Sequence, residues 1–493
     1  MIANTWDVEA NTNITHQPAI TPKNEVELVS TEPKTMNYDL VVVGGGPAGY
    51  VGAIRAAQLG KKVACVEKDR AGGTCLNWGC IPTKSLLRNA ELYSLLVKRA
   101  ADFGFKFDHL SYDWAKIISR SRGVADRLAG GVEFLFKKHK IDYLRGEATI
   151  PAPDKVVYVT KEGQSETVEA ANILIATGAV ARAMPGLNIN GNTVVDSHQA
   201  MILENQPKRL IIIGAGAIGV EFAYFFNAFG TEVMLVEMLP NALPVEDTEV
   251  SVALERSLSK QGIKVLTNTK VVKARADKTL AHVTVEVKKQ ETLEADCVLV
   301  AIGVAPLLPR GLELRLDRKG YIEVDGRYQT SVKNVFAAGD IIGPPWLAHV
   351  AMWEAIQAVE GMFTSHNPKR VRQFPSCTYC QPQVASVGLT ERAAKEQGLQ
   401  FKIGKFPFSA SGKALAVGEP EGFVKLIIGE PHGEILGAHI IGPEATELIA
   451  ELGLAMTLEA TYEEIEATIH AHPTLSEAVH EATGAAFGEA IHI

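Results

Sequence analysis

The chain has 493 residues, 46% hydrophobic, 22% charged and 7% aromatic, with a formal net charge of −8. That length exceeds a single hydrophobic core, so three or four domains are expected, and the negative charge argues against nucleic acid or an anionic membrane as partner. No apolar run approaches the ~20 residues of a membrane span, and six cysteines are too few for a disulfide-built secreted protein, which points to a reducing, cytoplasmic setting.

Residues 1–36 are polar and lack apolar periodicity, with Asp7, Glu9, Glu25, Glu27 and Glu32 against Lys23 and Lys34. Neither a signal peptide nor a transit peptide has that make-up. A disordered tail is expected, or an overlong start ahead of Met36; a docking segment is the alternative.

Leu40–Asp69 then reads as a buried apolar strand, a glycine turn, a helix, a glycine stop and a second apolar strand ending in Glu67. The same pattern returns in Leu210–Leu239 at a constant offset of 170. Gly44, Gly46, Gly49, Gly60 and Glu67 fall on Gly214, Gly216, Gly219, Gly230 and Glu237. Two complete βαβ dinucleotide fingerprints are therefore predicted. In each, the first glycine makes the turn, the second lets a pyrophosphate reach the backbone, and the third packs helix on strand. Glu67 and Glu237 each follow the first glycine by 23 residues, where a carboxylate binds ribose hydroxyls and repels a 2′-phosphate, favouring NAD over NADP.

Directly after the first copy comes Gly72–Lys84, GGTCLNWGCIPTK, with Cys75 and Cys80 five positions apart. On a regular helix that spacing puts the Cα atoms roughly 8–9 Å apart, beyond the ~7 Å a disulfide tolerates. The pair can close only on a bent turn, which Gly79 and Asn77 permit, and a strained disulfide is a reducible one. A redox couple beside a nucleotide is expected. Two dinucleotides and a dithiol make an electron path, with FAD in the first copy, whose strand runs almost straight into the cysteines, and a nicotinamide in the second.

Further along, Cys377 and Cys380 (CTYC) lie within Phe374–Leu389, which reads as strands. Without further ligands nearby they read as buried or interface thiols, rather than a second redox pair or a metal site. Cys65 and Cys297 fall in apolar strands and read as core. The segments FPFSASGKALA, FVKLIIG and ILGAHIIG look like strands ahead of helices bearing Glu447, Glu451 and Glu463. Near the end stands His470-Ala471-His472-Pro473-Thr474 with Glu477. A base needs an imidazole and an acceptor to orient its other ring nitrogen; His472 and Glu477 supply both if the Pro473 turn folds the next helix back.

Gly72–Lys84 resembles the active-site segment of the dithiol-containing flavoprotein disulfide reductases, and its CIPTK ending is most similar to the dihydrolipoamide dehydrogenase branch of that family. The likeness runs from about Asn37 to the C-terminus. It implies that Cys80 is the flavin-facing thiol, forming a charge-transfer complex, and that Cys75 exchanges with the dithiol substrate. Lys84 and Glu221 would pair near the flavin. The HPTxxE pattern makes His472 and Glu477 the acid/base pair, working on the disulfide of the other subunit of an obligatory homodimer, with His470 structural. FAD contacts would come from Gly73, Thr74, Lys84, Ala148, Thr177, Gly178 and Asp340 (in TSVKNVFAAGD), and from Trp346, Leu347, Ala348 and His349 opening a helix whose N-terminus favours negative charge. Val271 and Gly303 would line the NAD site beside Glu221. The family commonly has Arg-x-Pro after Gly303; Val304, Ala305 and Pro306 stand here.

The architecture so implied is α/β: two Rossmann-like domains for FAD and NAD, plus a C-terminal α+β dimerisation domain. The boundaries expected are a tail at 1–36, FAD-binding segments at 37–185 and 310–374, an NAD domain at 186–309 and a dimerisation domain at 375–493. The implied activity is FAD-dependent oxidation of dihydrolipoamide by NAD, with lipoyl domains and core subunits of 2-oxo acid dehydrogenase or glycine cleavage complexes as partners. Rivals are weaker. Glutathione-type reductases usually carry basic residues near the Glu237 position to hold NADP, mercuric reductases end in a cysteine pair where this chain reads FGEAIHI, and a non-catalytic FAD/NAD-binding subunit would need no His472/Glu477.

Overall fold

The computed structural model describes residues 36–277, 279–286 and 290–493; the expected polar tail up to residue 35 lies outside them. Two five-stranded parallel sheets dominate. The first runs Val335–Ala337, Ile173–Ile175, Leu40–Val43, Val63–Glu67, Asp142–Arg145. The second runs Val194–Val195, Cys297–Val300, Arg209–Ile213, Glu232–Val236, Lys264–Leu266. The central strands are apolar and buried over Leu40–Val43 and Leu210–Ile213 because both faces are covered.

The two faces follow the period of two of a strand. In the first sheet Leu40, Val42, Val63 and Cys65 pack against helices, while Val41, Val43, Ala64 and Val66 pack against Ile150, Val156, Tyr158 and Val168. Their counterparts 170 residues on divide the same way. Leu210, Ile212, Val233 and Leu235 face helices, and Ile211, Ile213, Met234 and Val236 face Ala274, Val283, Val285 and Leu293. The covering layer is in each case an antiparallel meander: Glu147–Ala152, Lys155–Val159 and Ser165–Ala170 in the first half, Lys270–Ala276, Ala281–Glu286 and Gln290–Ala295 in the second. The repeat is therefore far longer than the 30 residues legible as sequence. Met36–Tyr38 joins the first meander, parallel to Val168–Ala170, so Met36, which the expected tail included, is part of a strand.

The last layer is a five-stranded antiparallel sheet, Ser376–Thr378, Gln383–Gly388, Ile435–Gly442, Phe423–Gly429, Phe401–Pro407, packed under helices Ala445–Thr457 and Glu477–Ala485. One expectation fails here. FPFSASGKALA is strand only to Pro407, then turns through Phe408–Ala410 into a helix at Gly412–Ala416. The Ser411 hydroxyl accepts from the Ala414 N–H and caps that helix, which apolar content alone does not reveal.

Two helices position the chemistry. Cys80–Arg99 carries Lys84 one turn after Cys80. Ala217–Ala228 is buried along Gly219–Phe226, lying between the second sheet and Leu86, Leu87 and Ala90 of the Cys80 helix.

Candidate active site

The two glycine turns are built alike. Gly44 and Gly214 have φ of 104° and 102°, and a Cβ there would stand 2.3 Å from the carbonyl oxygens of Ala176 and Ala301. At Gly49 and Gly219 a Cβ would run into the carbonyls of Gly44 and Gly214, at 1.8 and 1.9 Å, so the helix seats on the turn only without a side chain. The middle glycines differ in kind. A Cβ on Gly46 would meet Gly73 Cα only at 3.9 Å, and on Gly216 nothing within 4 Å. Each therefore opens a concave backbone cradle at a helix N-terminus, of the shape a dinucleotide pyrophosphate fills. In the first cradle Gly73 (φ 55°) brings its backbone against Gly46. The buried Thr177 Oγ1, in the turn before Gly178, has no partner among the described residues. Both observations fit a bound dinucleotide.

Glu67 and Glu237 close these turns in an identical way. Glu67 accepts from the N–H of Gly45 at 2.6 Å and of Asp69 at 2.7 Å; Glu237 accepts from Ala215 at 2.8 Å and Leu239 at 2.9 Å. Each carboxylate thus braces its glycine turn, where the sequence pointed to a ribose contact. Glu354, which sequence reasoning missed, does the same for Gly339 at 2.9 Å, and burial pushes its carboxyl up to about 7. Next to Gly339, burial pushes Asp340 up to about 6.

The remaining expected contacts are distributed around these turns. Thr74 lies in the helix Gly73–Trp78, Ala148 in the strand Glu147–Ala152, and Val271 in Lys270–Ala276. Leu347 precedes and Ala348 begins the helix Ala348–Phe363; Trp346 is exposed, and the His349 ring bonds Pro375 O at 3.0 Å. Gly303 (φ 95°) has open space around it, and its carbonyl accepts from Arg182 N at 3.0 Å.

Cys75 and Cys80 straddle a helix break. Gly73–Trp78 ends at Gly79 (φ −150°, ψ −113°), and Cys80 opens the next helix. Gly79 makes the bend; Asn77 does not. Asn77 is helical and fully buried, and its amide donates to the carbonyls of Ala71 and Gly73 at 3.0 Å each. It clamps the short helix instead of turning the chain. The bend brings the sulfurs into hydrogen-bond contact, Cys75 donating to Cys80. That bond, followed by burial, pushes the Cys75 thiol far up. For Cys80 the same bond comes first in holding the thiol below its ordinary range; burial opposes it, while Lys84 and the helix N-terminus assist.

Lys84 Nζ reaches Glu221 at 2.9 and 3.0 Å. Glu221 is buried and also accepts from the Tyr379 N–H at 3.0 Å, a partner the sequence did not announce. Asp340 acts on Cys75, and Tyr50 faces both cysteines.

His472 and Glu477 form a second unit. The His472 Nδ1–Glu477 Oε1 distance is 2.8 Å, and Glu477 Oε2 accepts from Thr474 N at 2.8 Å. Burial works against the Glu477 carboxylate, yet Thr474 and His472 together hold it below the usual range. The His472 side chain is 80% exposed, and among the described residues it has no hydrogen bond or ion pair with either cysteine. His470 differs: its ring is buried and bonds Glu451 at 2.7 Å. Cys377 and Cys380 diverge into separate cores, Cys380 donating to Pro382 O at 3.2 Å. Among the described residues no group of side chains has a metal-holding arrangement, and no helix is long and apolar enough to cross a membrane.

Residues 38–355 match the family described as pyridine nucleotide-disulphide oxidoreductase, and 374–483 match its dimerisation domain. The chain is 45% identical over 467 residues to a dihydrolipoyl dehydrogenase of Zymomonas mobilis, covering 92% of this chain and 99% of that one. It is 43% identical over 471 residues to the Bacillus subtilis protein of the same name, with the same coverage. Among solved structures it superimposes on LpdA of Mycobacterium tuberculosis with a TM-score of 0.83 at 25% identity, covering 91% of this chain and 99% of that one. The HOCl-induced flavoprotein disulfide reductase RclA of Escherichia coli gives a TM-score of 0.80 at 25% identity, with the same coverage. With a cysteine pair bent into contact beside two duplicated nucleotide cradles, and with matches over nearly its whole described length, the chain belongs to the pyridine nucleotide-disulphide oxidoreductase family.

Proposed function

We propose that the chain acts as a dihydrolipoyl dehydrogenase, oxidising protein-bound dihydrolipoamide and reducing NAD. It would work as a cytoplasmic homodimer serving 2-oxo acid dehydrogenase or glycine cleavage complexes. The observation that carries this reading is geometric: Cys75 and Cys80 are folded together across the helix break at Gly79, beside the Lys84–Glu221 ion pair, with the Cys80 thiol at a helix N-terminus. An exchange thiol and a stabilised thiolate are what transfer from a dithiol requires.

FAD would sit in the first cradle (Gly44, Gly46, Gly49, Glu67, Gly73, Thr74, Thr177, Gly178) with Lys84, Ala148, Asp340 and Trp346–His349; NAD would sit in the second (Gly214, Gly216, Gly219, Glu237) with Glu221, Val271 and Gly303. When bound, FAD supplies the two-electron acceptor for the dithiol and NAD takes the pair on as hydride. The rest is protein chemistry. His472, oriented by Glu477, takes a proton from one substrate thiol. In the oxidised form of the pair, with Cys75 and Cys80 joined as a disulfide in place of the free thiols seen here, the resulting thiolate attacks Cys75 Sγ, the Cys75–Cys80 bond breaks, and Cys80 leaves as a thiolate stabilised by Lys84. The second substrate thiol, losing its proton, attacks the mixed disulfide, closing lipoamide and releasing Cys75, which is reprotonated. The exposure of His472, with Ile469 beside it 96% exposed and Leu454 and Leu458 also exposed, supports its working on the cysteine pair of the partner subunit.

Steady-state rates with dihydrolipoamide and with glutathione, each with NAD and NADP, test the reading. The dihydrolipoamide–NAD pair should dominate; preference for glutathione with NADP, or a colourless protein that takes up no FAD, overturns it. Cys80→Ser should abolish dithiol turnover while NADH oxidation by artificial acceptors persists.

A further inference from the structure

Tyr379 directly follows the strand Ser376–Thr378 of the C-terminal sheet, far in sequence from the cysteines, yet it meets the Lys84–Glu221 pair twice. Its N–H donates to Glu221 Oε1 at 3.0 Å, and its ring lies under the Lys84 ammonium, 4.3 Å from Nζ to the centroid. The ammonium is therefore held on two sides, by a carboxylate and by an aromatic face. Tyr379 itself is firmly placed. Thr378 before it ends a strand and is buried, and Cys380 after it is fully buried among Phe222, Tyr224 and Val384. Its hydroxyl also bonds Cys377. The CTYC segment, which metal or redox chemistry does not explain, thus reads as two anchors flanking an aromatic ring.

We propose that Tyr379 is a positioning residue for the redox pair: its ring fixes Lys84 against Glu221 so that the ammonium stays directed at Cys80. The proposal rests on Cys80 being the flavin-facing thiol. The titratable and charged groups facing Cys80 are Cys75 from the preceding short helix, Lys84 one turn along, Glu221 from the helix Ala217–Ala228, Tyr50 from the helix Pro47–Gln58, and Tyr379. Lys84 favours the Cys80 thiolate and Glu221 disfavours it. A displaced ammonium leaves the carboxylate less compensated, and the thiolate is then harder to form.

The test uses the FAD-loaded enzyme reduced anaerobically with one equivalent of NADH, with the long-wavelength thiolate–flavin absorbance titrated against pH. At position 379, Phe, 4-fluoro-Phe and 3,4,5-trifluoro-Phe keep shape and packing while progressively emptying the ring face of negative potential. Tyr379→Phe should titrate with the wild type. The midpoint should then climb with each fluorination, reaching about half a pH unit, roughly threefold less thiolate below the midpoint, for the trifluoro ring. A flat series overturns the proposal, as does a Tyr379→Phe midpoint already shifted as far as the trifluoro one, which would assign the effect to the hydroxyl on Cys377. The two readings fail separately: a wild-type enzyme without the band at any pH overturns the dithiol–flavin assignment, whereas a normal band with an unmoved midpoint overturns the role of Tyr379.

Discussion

The matched glutamates permit a paired experiment. Glu67 and Glu237 each take two backbone N–H groups of a glycine turn, at 2.6–2.7 Å and 2.8–2.9 Å. Substituting Gln keeps one acceptor oxygen and turns an NH2 toward the second N–H, so one charge-assisted bond is lost and a donor is left facing a donor. Bonds of that type contribute about 1.5–3 kcal/mol. If about 2 kcal/mol of this preorganises the cradle, dinucleotide affinity should fall roughly thirtyfold, since 1.4 kcal/mol is tenfold. The effects should separate by repeat. Glu237→Gln should raise the Kd for NAD by that factor, measured by titration calorimetry, and leave the flavin content of the purified protein unchanged. Glu67→Gln should purify with less FAD, read from the flavin-to-protein absorbance ratio after gel filtration, and bind NAD normally once reloaded. Wild-type NAD affinity in Glu237→Gln, or the same loss from both variants, would refute the bracing argument.

Two further predictions concern the C-terminal layer. His472→Ala, at an 80% exposed side chain, should shift stability by under about 0.5 kcal/mol and cut dithiol turnover by about 10²–10⁴; His470→Ala, which strands Glu451, should lower the melting temperature and spare turnover, with calorimetry and steady-state kinetics separating the two. Lys425 is buried and holds Asp247 at 3.0 Å, Glu249 at 3.2 Å and Glu391 at 2.6 Å, so Lys425→Met, which leaves buried Asp247 uncompensated, should cost about 3–5 kcal/mol by denaturant unfolding. Burial works against the Asp247 carboxylate, but Lys425 holds its pKa below the ordinary value; the stability it contributes is present above about pH 4 and fades as pH falls through the lower folded value, and Lys425→Met should lose that acid-side dependence.

What was legible in the sequence is what local rules dictate. Gly44 and Gly214 are irreplaceable because a carbonyl fills the space of a Cβ, so the glycines persist at a fixed offset and reveal the fold. Gly79 marks the helix break between the cysteines through its backbone, at φ −150° and ψ −113°, since a Cβ there would be tight but not overlapped, 3.2 Å from the Thr74 carbonyl oxygen. The meanders were not legible as a repeat, because antiparallel strands covering a sheet need alternation and no particular residue. Asn77 was misread because its type suits turns, whereas here its amide finds two carbonyls inside a helix. Glu354 and Tyr379 were invisible for a different reason. Tyr379 acts on a residue 158 positions before it, and Glu354, though only 15 positions from Gly339, lies inside a helix where nothing in its neighbours signals the partner.

The residues after Gly303 take part in joining the two halves. The first sheet takes its outer strand, Val335–Ala337, from beyond the whole second half, while the second takes Val194–Val195 from before its own first fingerprint strand. The second half is thus inserted within the first, and the chain crosses between them twice. Those crossings, Ala179–Ala181 and Val304–Pro306, pair antiparallel as a ribbon. Val304 stands opposite Ala181 there, a position suited to a β-branched residue. A two-stranded ribbon is marginal by itself, so it cannot alone hold two nucleotide cradles in a fixed relation. The second restraint is the helix Ala217–Ala228, which leaves the second cradle and packs against the helix of Cys80. Lys84–Glu221 spans that contact. The ion pair beside Cys80 therefore also ties one glycine cradle to the other, and any change that loosens it should disturb both the Cys80 thiol and cradle alignment.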